Sequence, residues 1–305
     1  MSAGAAGTGF ALTGQGSWRP LLALAVLTVV WGFSVPVMKL GLADVPPFAL
    51  VSLRYVCAAP FFVPFVLGRR LPRPRVLATL IGLAALGVGA GQVLQILGVQ
   101  RSSAAIGTII TATIPIFTVV FAVVRLRQPV RLHHMAGLAV ALIGIALTTI
   151  GAGSGIGGFT VTAAIGDLCL LLSSICIAAY YVFSAEVAFS EGVMAVSAWT
   201  TIFGGMLLAP VALWTAADVR WTPLGIGTVV YLGLLVTVLG VWIWLHALRA
   251  LPVRVAASSQ YVQPLIGIAA SAAIFGTPLG GLFAFGSALV LAGITLCSLS
   301  RRAAR

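Results

Sequence analysis

The chain alternates long apolar stretches with short polar connections. No charged residue occurs between Arg19 and Lys39, or between Arg75 and Arg101. A helix needs about 20 apolar residues to cross a bilayer, and these stretches reach that length. They lack the polar–apolar alternation of barrel strands, and lipid cannot satisfy backbone groups left unpaired. The pattern therefore predicts membrane-spanning helices.

The same pattern sets the number of spans. The uncharged stretch from Arg254 to Arg301 is too long for one helix, and the sequence GTPLGG at 276–281 divides it in two. We predict an all-α membrane protein with ten spans. Their limits fall near 20–40, 47–67, 76–98, 102–124, 132–151, 165–187, 193–216, 224–248, 252–275 and 279–299.

Composition excludes a soluble protein. Hydrophobic residues make up 61% and charged residues 7%, whereas soluble domains carry about 25% charge. The net charge of +12 does not indicate nucleic-acid binding, because the basic residues sit in short loops between spans. Thirteen of the 17 Lys and Arg residues fall on one predicted side. By the positive-inside rule both termini are cytoplasmic, as an even number of spans requires.

No enzyme motif or metal-binding pattern accompanies the spans. The sequence contains no HExxH, Walker or GxSxG motif, and its four cysteines lie in apolar runs. We expect no enzymatic activity, no cofactor and no metal. Residues 1–17 are predicted to form a flexible tail, and 301–305 a short basic one.

An internal repeat appears when the chain is shifted by 149 residues. Two prolines and three glycines then coincide with residues of the same type: Gly91 with Gly240, Pro115 with Pro264, Pro129 with Pro278, Gly137 with Gly286 and Gly144 with Gly293. The expected domains are 18–152 and 153–300, each with five spans. Because five is odd, the second copy enters the membrane from the opposite face. Such an inverted repeat supplies a basis for alternating access.

Polar residues interrupt spans four and nine near mid-depth. In span four, Thr108 and Thr111 precede Pro115. The matching part of span nine has five polar residues in six positions, followed by Pro264, and four of them are predicted to line a cavity: Ser259, Gln260, Tyr261 and Gln263. Hydrogen bonding between helices is the alternative for these four. The two prolines are expected to act as hinges and to loosen each helix just beyond them. For the threonines, bonding to their own helix remains an alternative.

Further candidates for the cavity wall lie in spans one, three, six and eight. Gln92 and Gln95 share a face of span three, Trp31 falls near mid-depth, and Tyr180 is its mate in the repeat. Trp242 and His246 complete the set. An aromatic belt at the membrane surface remains the alternative for Trp242.

Two basic residues occur within or at the end of a span. Arg54 interrupts span two and is either functional or long enough to reach the interface. Lys39 ends span one, as a gate charge or an anchor. The chain has only five carboxylates, all near predicted span ends or in loops. A deep proton relay is therefore not expected.

These features resemble a known family. The first span, WGFSVPVMKLGL, the second, PPFALVSLRYVCA, and the endings GIALTTIG and GITLCSLS are similar to the drug/metabolite transporter superfamily, EamA type. Trp31, Gly32, Lys39 and Arg54 stand at family-pattern positions. The resemblance implies a cavity between spans one, three, four, six, eight and nine. Within the family the chain looks most like YddG-type exporters of bacteria, which implies aromatic and other neutral amino acids, and some cationic drugs, as substrates.

From pattern and resemblance together we expect a monomeric, multi-pass transporter of the bacterial inner membrane. Its expected partners are a small-molecule substrate and the lipid bilayer, without nucleic acid. The expected function is export of amino acids or related metabolites by alternating access around a midplane cavity. A multidrug or cation extruder driven by proton antiport is the alternative. A structural or enzymatic membrane protein is a third class, which the inverted repeat disfavours.

Overall fold

Every described element of the chain is a helix. The computed structural model describes residues 18–125, 132–153, 160–250, 262–276 and 280–298. Within these ranges the chain forms ten helical runs, which we label α1 to α10. They are Arg19–Gly41, Pro47–Phe65, Pro74–Arg101, Ala104–Arg125, Leu132–Gly153, Val161–Glu191, Val193–Asp218, 223–250, Gln263–Phe275 and Gly281–Ser298.

Length and hydropathy make seven of these runs candidate membrane spans: α1 to α4 and α6 to α8. The candidate spans begin and end within a few residues of the predicted limits. Their outward-facing side chains are apolar, as shown by Phe189 and Trp214, which are 93% and 82% exposed. Large apolar side chains on the surface suit a protein surrounded by lipid. The count of ten spans and the positions of the termini stay predictions.

Two of the helices break at defined points. In α1 the backbone turns at Phe33, between segments Arg19–Gly32 and Ser34–Gly41. In α4 the break lies at residues 112–113, and the second segment begins at Ile114. Pro115 therefore follows the break, and our expectation that it loosens the helix beyond itself was wrong. Proline lacks an N–H and clashes with the carbonyl four residues earlier, so it disrupts the preceding turn.

Two wider, π-helical turns lie inside α3 and α8. They span Ala85–Gln92 and Tyr231–Leu239, which are nearly equivalent positions of the two halves. A π-helical turn shifts each hydrogen bond by one residue, and such turns often occur at functional sites. In α8 the Thr237 hydroxyl donates to the carbonyl five residues earlier, at Leu232, over 2.8 Å.

The helices of the two halves pack in a symmetric pattern. The contacts between halves include those of α2 with α7, α5 with α10, α4 with α9, α3 with α6 and α1 with α8. Exchanging α1–α5 with α6–α10 leaves the first three pairs unchanged and converts the contact of α3 with α6 into that of α8 with α1. This is the contact pattern of two units related by a twofold axis.

Candidate functional site

A buried arginine joins three helices in the interior of the bundle. Arg54, on α2, is only 8% exposed. Its Nε donates to Thr237 Oγ1 on α8 over 3.0 Å, and a terminal nitrogen donates to Gln92 Oε1 on α3 over 2.9 Å. The guanidinium carbon also lies 5.3 Å from the ring centre of Tyr55. Arg54 thus does not extend to the membrane surface but links α2 and α3 of the first half to α8 of the second.

Apolar side chains close around this group, which we call the Arg54 cluster (Arg54, Gln92 and Thr237). The surrounding residues come from α1, α2, α3 and α8, and they are Met38, Leu50, Val51, Ile96 and Leu232. The space they enclose does not admit a water-sized sphere. A low dielectric strengthens the hydrogen bonds of the cluster and raises the cost of any polar group without a partner. The structure is therefore closed around Arg54.

Two hydrogen bonds join the π-helical turn of α8 to α1. The Trp31 indole donates to the carbonyl of Val236 over 3.0 Å, and the Tyr231 hydroxyl donates in return to Val30 over 2.6 Å. The indole lies so close to Gly240 that a methyl group there would be 2.5 Å from its nitrogen. Main-chain groups near the break in α1 and the turn in α8 are thus satisfied by side chains across the interface between the halves.

The equivalent interface between α6 and α3 is built in a similar way. Ser173 donates to the carbonyl of Gly91, in the π-helical turn of α3, over 2.7 Å. The ring of Tyr180 lies against Gly87, and its hydroxyl lies 3.0 Å from Thr200 Oγ1. Tyr180, the repeat mate of Trp31, therefore also packs on a wide turn of the other half. Glycine is needed at both turns because a side chain would collide with the aromatic ring.

The two threonines predicted for span four bond within their own helix. Thr108 is buried and donates to the carbonyl of Ala104 over 2.8 Å, and Thr111 donates to that of Gly107 over 2.8 Å. The methyl group of Thr108 meets α9, since a Cβ on Gly267 would lie 2.5 Å from it. In this structure their hydroxyls satisfy the local backbone, which was the alternative reading of the sequence.

Span nine is only partly described. Ser259, Gln260 and Tyr261 lie outside the described residues. Gln263 is half-buried at the start of α9, where its carbonyl faces Gly32 of α1, and Pro264 is buried in the first turn. The predicted contact between Thr111 and Gln260 stays a prediction.

The remaining candidates separate into two regions. Gln95 is half-buried on α3, one turn from the Arg54 cluster. Trp242 is 54% exposed and stacks on His246, with ring centres 5.8 Å apart. This pair faces outward, which favours the belt interpretation for Trp242. Trp244 instead lies near Trp31, at 5.8 Å between ring centres.

Lys39 acts as an anchor in this structure. Its ammonium group donates to the carbonyls of Val99, Gln100 and Ser102 over 2.7, 2.8 and 2.7 Å. The last carbonyls of a helix have no partner within that helix, and a cation there also suits the helix dipole. Lys39 therefore ties the end of α1 to the end of α3.

Further polar bonds hold the same end of the bundle together. Ser102 donates to the carboxylate of Asp167 on α6. Asp44, after α1, accepts from Thr222 before α8 and lies 3.7 Å from Arg220. At the opposite ends of α4 and α6, Arg125 contacts Glu186 at 2.7 and 3.1 Å on the protein surface.

Sequence reasoning missed Thr237 and Tyr231. Both lie in the apolar run YLGLLVTVLG, where a single hydroxyl normally bonds its own helix. Only the π-helical turn brings Thr237 toward Arg54, and nothing in the sequence marked that turn. Among the described residues no group of His, Cys, Asp or Glu could hold a metal ion.

Comparison with known proteins assigns the family. The model of the EamA-like transporter family matches residues 18–150 and again 164–299. The "Uncharacterized inner membrane transporter YedA" of Escherichia coli (strain K12) is 28% identical, covering 85% of this chain and 82% of that protein. The "Probable terminal-alkyne amino-acid exporter" of Streptantibioticus cattleyicolor is 27% identical, covering 91% and 93%.

A solved crystal structure is similar to this fold. It aligns over 93% of this chain and 97% of its own chain, with a TM-score of 0.61 and 20% sequence identity. At that identity the likeness shows the fold alone. The family model, by contrast, matches nearly the whole chain in two copies, one on each half. The chain is a membrane transporter that belongs to the EamA-like transporter family.

Proposed function

We propose that the protein exports neutral and aromatic amino acids from the cytoplasm by alternating access. The observation that carries this proposal is the Arg54 cluster, in which polar side chains of both halves meet inside an apolar bundle. Polar groups at that depth are costly, and in membrane proteins they mark substrate pathways. A site shared by two halves can open to either face when the halves rock about it.

The relatives support this class of substrate. One relative with 27% identity over most of both chains is named a probable amino-acid exporter. An amino acid presents a carboxylate, an ammonium group and a side chain. The cluster offers a guanidinium, an amide and a hydroxyl, with the Tyr55 ring beside the guanidinium.

The positions of the carboxylates favour amino acids over organic cations. A buried cation site needs a nearby anion. Asp44, Glu191 and Asp218 lie at helix ends, Glu186 is on the surface, and Asp167 is held by Ser102 near the start of α6. No carboxylate is placed to serve the cluster, so we propose gradient-driven movement without a deep proton relay.

Polar bonds at one end of the bundle support a closed outer gate. Lys39, Ser102 and Asp44 each join helices there, and the positive-inside rule assigns this end to the outer face. We propose that these bonds form the outer barrier. They must break when the site opens outward.

Counterflow into proteoliposomes tests the proposal. Purified protein is reconstituted, the vesicles are loaded with unlabelled amino acid, and entry of labelled amino acid is followed for a panel of neutral, charged and aromatic substrates. We expect saturable flux for neutral or aromatic amino acids that changes little with an imposed pH gradient. Absence of saturable flux for every amino acid contradicts the proposal. Dye efflux that stops when the proton gradient collapses would instead favour the cation extruder.

A further inference from the structure

Arg54 carries a charge that no carboxylate of the chain neutralises. The sequence has five carboxylates, and all of them lie in described residues. The ion pairs among those residues join Arg125 to Glu186 and Arg220 to Asp44. Arg54 instead donates to the neutral side chains of Thr237 and Gln92, with the Tyr55 ring nearby. A guanidinium that is 8% exposed is thus held by neutral groups.

The guanidinium also keeps unused hydrogen-bonding capacity. Arginine has about five N–H donors arranged in a rigid fork. In the described part of the chain, one donates to Thr237 and one to Gln92. A planar carboxylate matches the fork through two parallel hydrogen bonds, and charged bonds of this kind are stronger than bonds to an amide or a hydroxyl. An anionic ligand can therefore compete with the neutral partners for the guanidinium.

The position of the cluster links such displacement to movement. Gln92 and Thr237 belong to the π-helical turns of α3 and α8, one in each half. The enclosed space is too small for a ligand, so binding requires α8 to separate from α2 and α3. A ligand that binds only the separated arrangement shifts the equilibrium toward it. Breaking the bond between Arg54 and Thr237 is a step in that separation.

We propose that Arg54 binds the carboxylate of the transported amino acid, which takes the place of Gln92 and Thr237 on the guanidinium. This assignment rests on the proposed function and names the group of the substrate that is recognised. The single positive charge of the buried guanidinium matches the single negative charge of the substrate's carboxylate. Of the other two basic side chains in the first two helices, Arg19 is exposed and Lys39 is already bonded to three carbonyls.

Competition in the counterflow assay tests this assignment. The probe is the amino acid with the highest flux, and the competitors are the same amino acid, its amide and its decarboxylated amine. In the wild type we expect the amide and the amine to compete at least about 30-fold more weakly than the acid, because they lack the anion. In Arg54→Gln the difference should fall below about threefold. Arg19→Gln, an exposed arginine at the start of α1, is the matched control and should keep the wild-type difference.

A second variant covers the case in which Arg54→Gln does not fold. Gln92→Glu places a carboxylate where the amide oxygen now lies, 2.9 Å from the guanidinium nitrogen. It should pair with Arg54, raise or maintain the melting temperature, and lower flux at least about tenfold by occupying the site. Equal flux in a folded Gln92→Glu protein would overturn the assignment.

The outcomes separate this assignment from the proposed function. Equal competition by acid and amide in the wild type, or full discrimination retained by Arg54→Gln, overturns the role of Arg54 while amino-acid transport stands. Absence of amino-acid flux in the wild type overturns the proposed function, and the assignment with it.

Discussion

At the scale of single residues, side chains satisfy the backbone where a helix is interrupted or ends. Trp31 donates to Val236, Ser173 to Gly91 and Lys39 to the end of α3. An unpaired carbonyl in a dry interior costs about 1–3 kcal/mol, so each bond allows a break or wide turn that lipid alone would not tolerate. Each of these sites in the helices therefore depends on the side chain that bonds its backbone carbonyl.

Removing the indole donor tests this relation. Trp31→Phe keeps an aromatic ring but leaves the carbonyl of Val236 without its partner. We expect the free energy of unfolding in mixed micelles to fall by about 1–2 kcal/mol. Trp214→Phe is the control, since this side chain is 82% exposed, and it should change stability by less than about 0.5 kcal/mol. Equal effects of the two variants would show that the bond to Val236 contributes nothing.

The residues of the site were only partly predictable. Arg54 and Gln92 stood out because a charge and an amide are rare inside a span, and the structure brings them together. Thr108 was ambiguous because threonine can bond its own helix, as it does here. Thr237 gave no signal, since its role depends on the wider turn that directs it toward Arg54.

At the scale of helices, α5 and α10 pack through paired glycines. A methyl group on Gly144 would lie 2.6 Å from the carbonyl oxygen of Gly286, and one on Gly293 would lie 2.6 Å from that of Gly137. Gly137 and Gly286 are repeat mates, as are Gly144 and Gly293. Replacing both glycines of the first contact by their repeat mates gives the second contact, as expected for two units related by a twofold axis. Small residues let the backbones approach this closely.

Adding a methyl group at this seam should separate the helices. We expect Gly144→Ala to lower the free energy of unfolding by about 1–3 kcal/mol, because backbone atoms of α10 would have to move. Gly82→Ala is the matched control on α3. A methyl group there meets nothing within 4 Å, and alanine favours the helix, so stability should be unchanged or rise by up to about 1 kcal/mol. If Gly144→Ala is as stable as the control, the close packing is not required.

The break in α4 is the second feature at this scale. Pro115→Ala restores an N–H that can bond the carbonyl of Thr111, so the two segments of α4 should join more firmly. We expect amide exchange at residues 112–117 to slow about fivefold, which corresponds to about 1 kcal/mol for one hydrogen bond. Hydrogen exchange measured by mass spectrometry gives this value. Unchanged exchange would mean that the local bonds of Thr113, and not the proline, set the break.

Helix limits were easier to predict than helix interruptions. Charged residues and prolines mark the ends, so Pro47 and Pro74 open α2 and α3 close to the predicted positions. The turn at Phe33 and the two π-helical turns depend on packing against the other half, which a local pattern does not contain. The repeat relates the segment after the break in α4 to the start of α9, because Ile114 and Gln263 begin these segments and are 149 residues apart.

At the scale of the whole molecule, the two halves follow one plan. The family model matches each half separately, and helix contacts between the halves map onto themselves when the halves are exchanged. The ion pairs between described residues also agree with the predicted topology. One pair joins Arg125 to Glu186 and the other joins Arg220 to Asp44. In both pairs the predicted topology places the two helix ends on the same face of the membrane. These observations support two inverted units around a shared site.

Labelling of one symmetry-related pair of residues tests the inverted arrangement most directly. Arg69 and Asp218 are 149 residues apart and both exposed; Arg69 follows α2, and Asp218 is the last residue of α7. Single cysteines at these positions, in a protein without its native cysteines, are treated in intact cells with a maleimide that cannot cross membranes. The inverted repeat predicts labelling of position 218 in intact cells and of position 69 only after permeabilisation. Labelling of both positions from the same side of the membrane would contradict it.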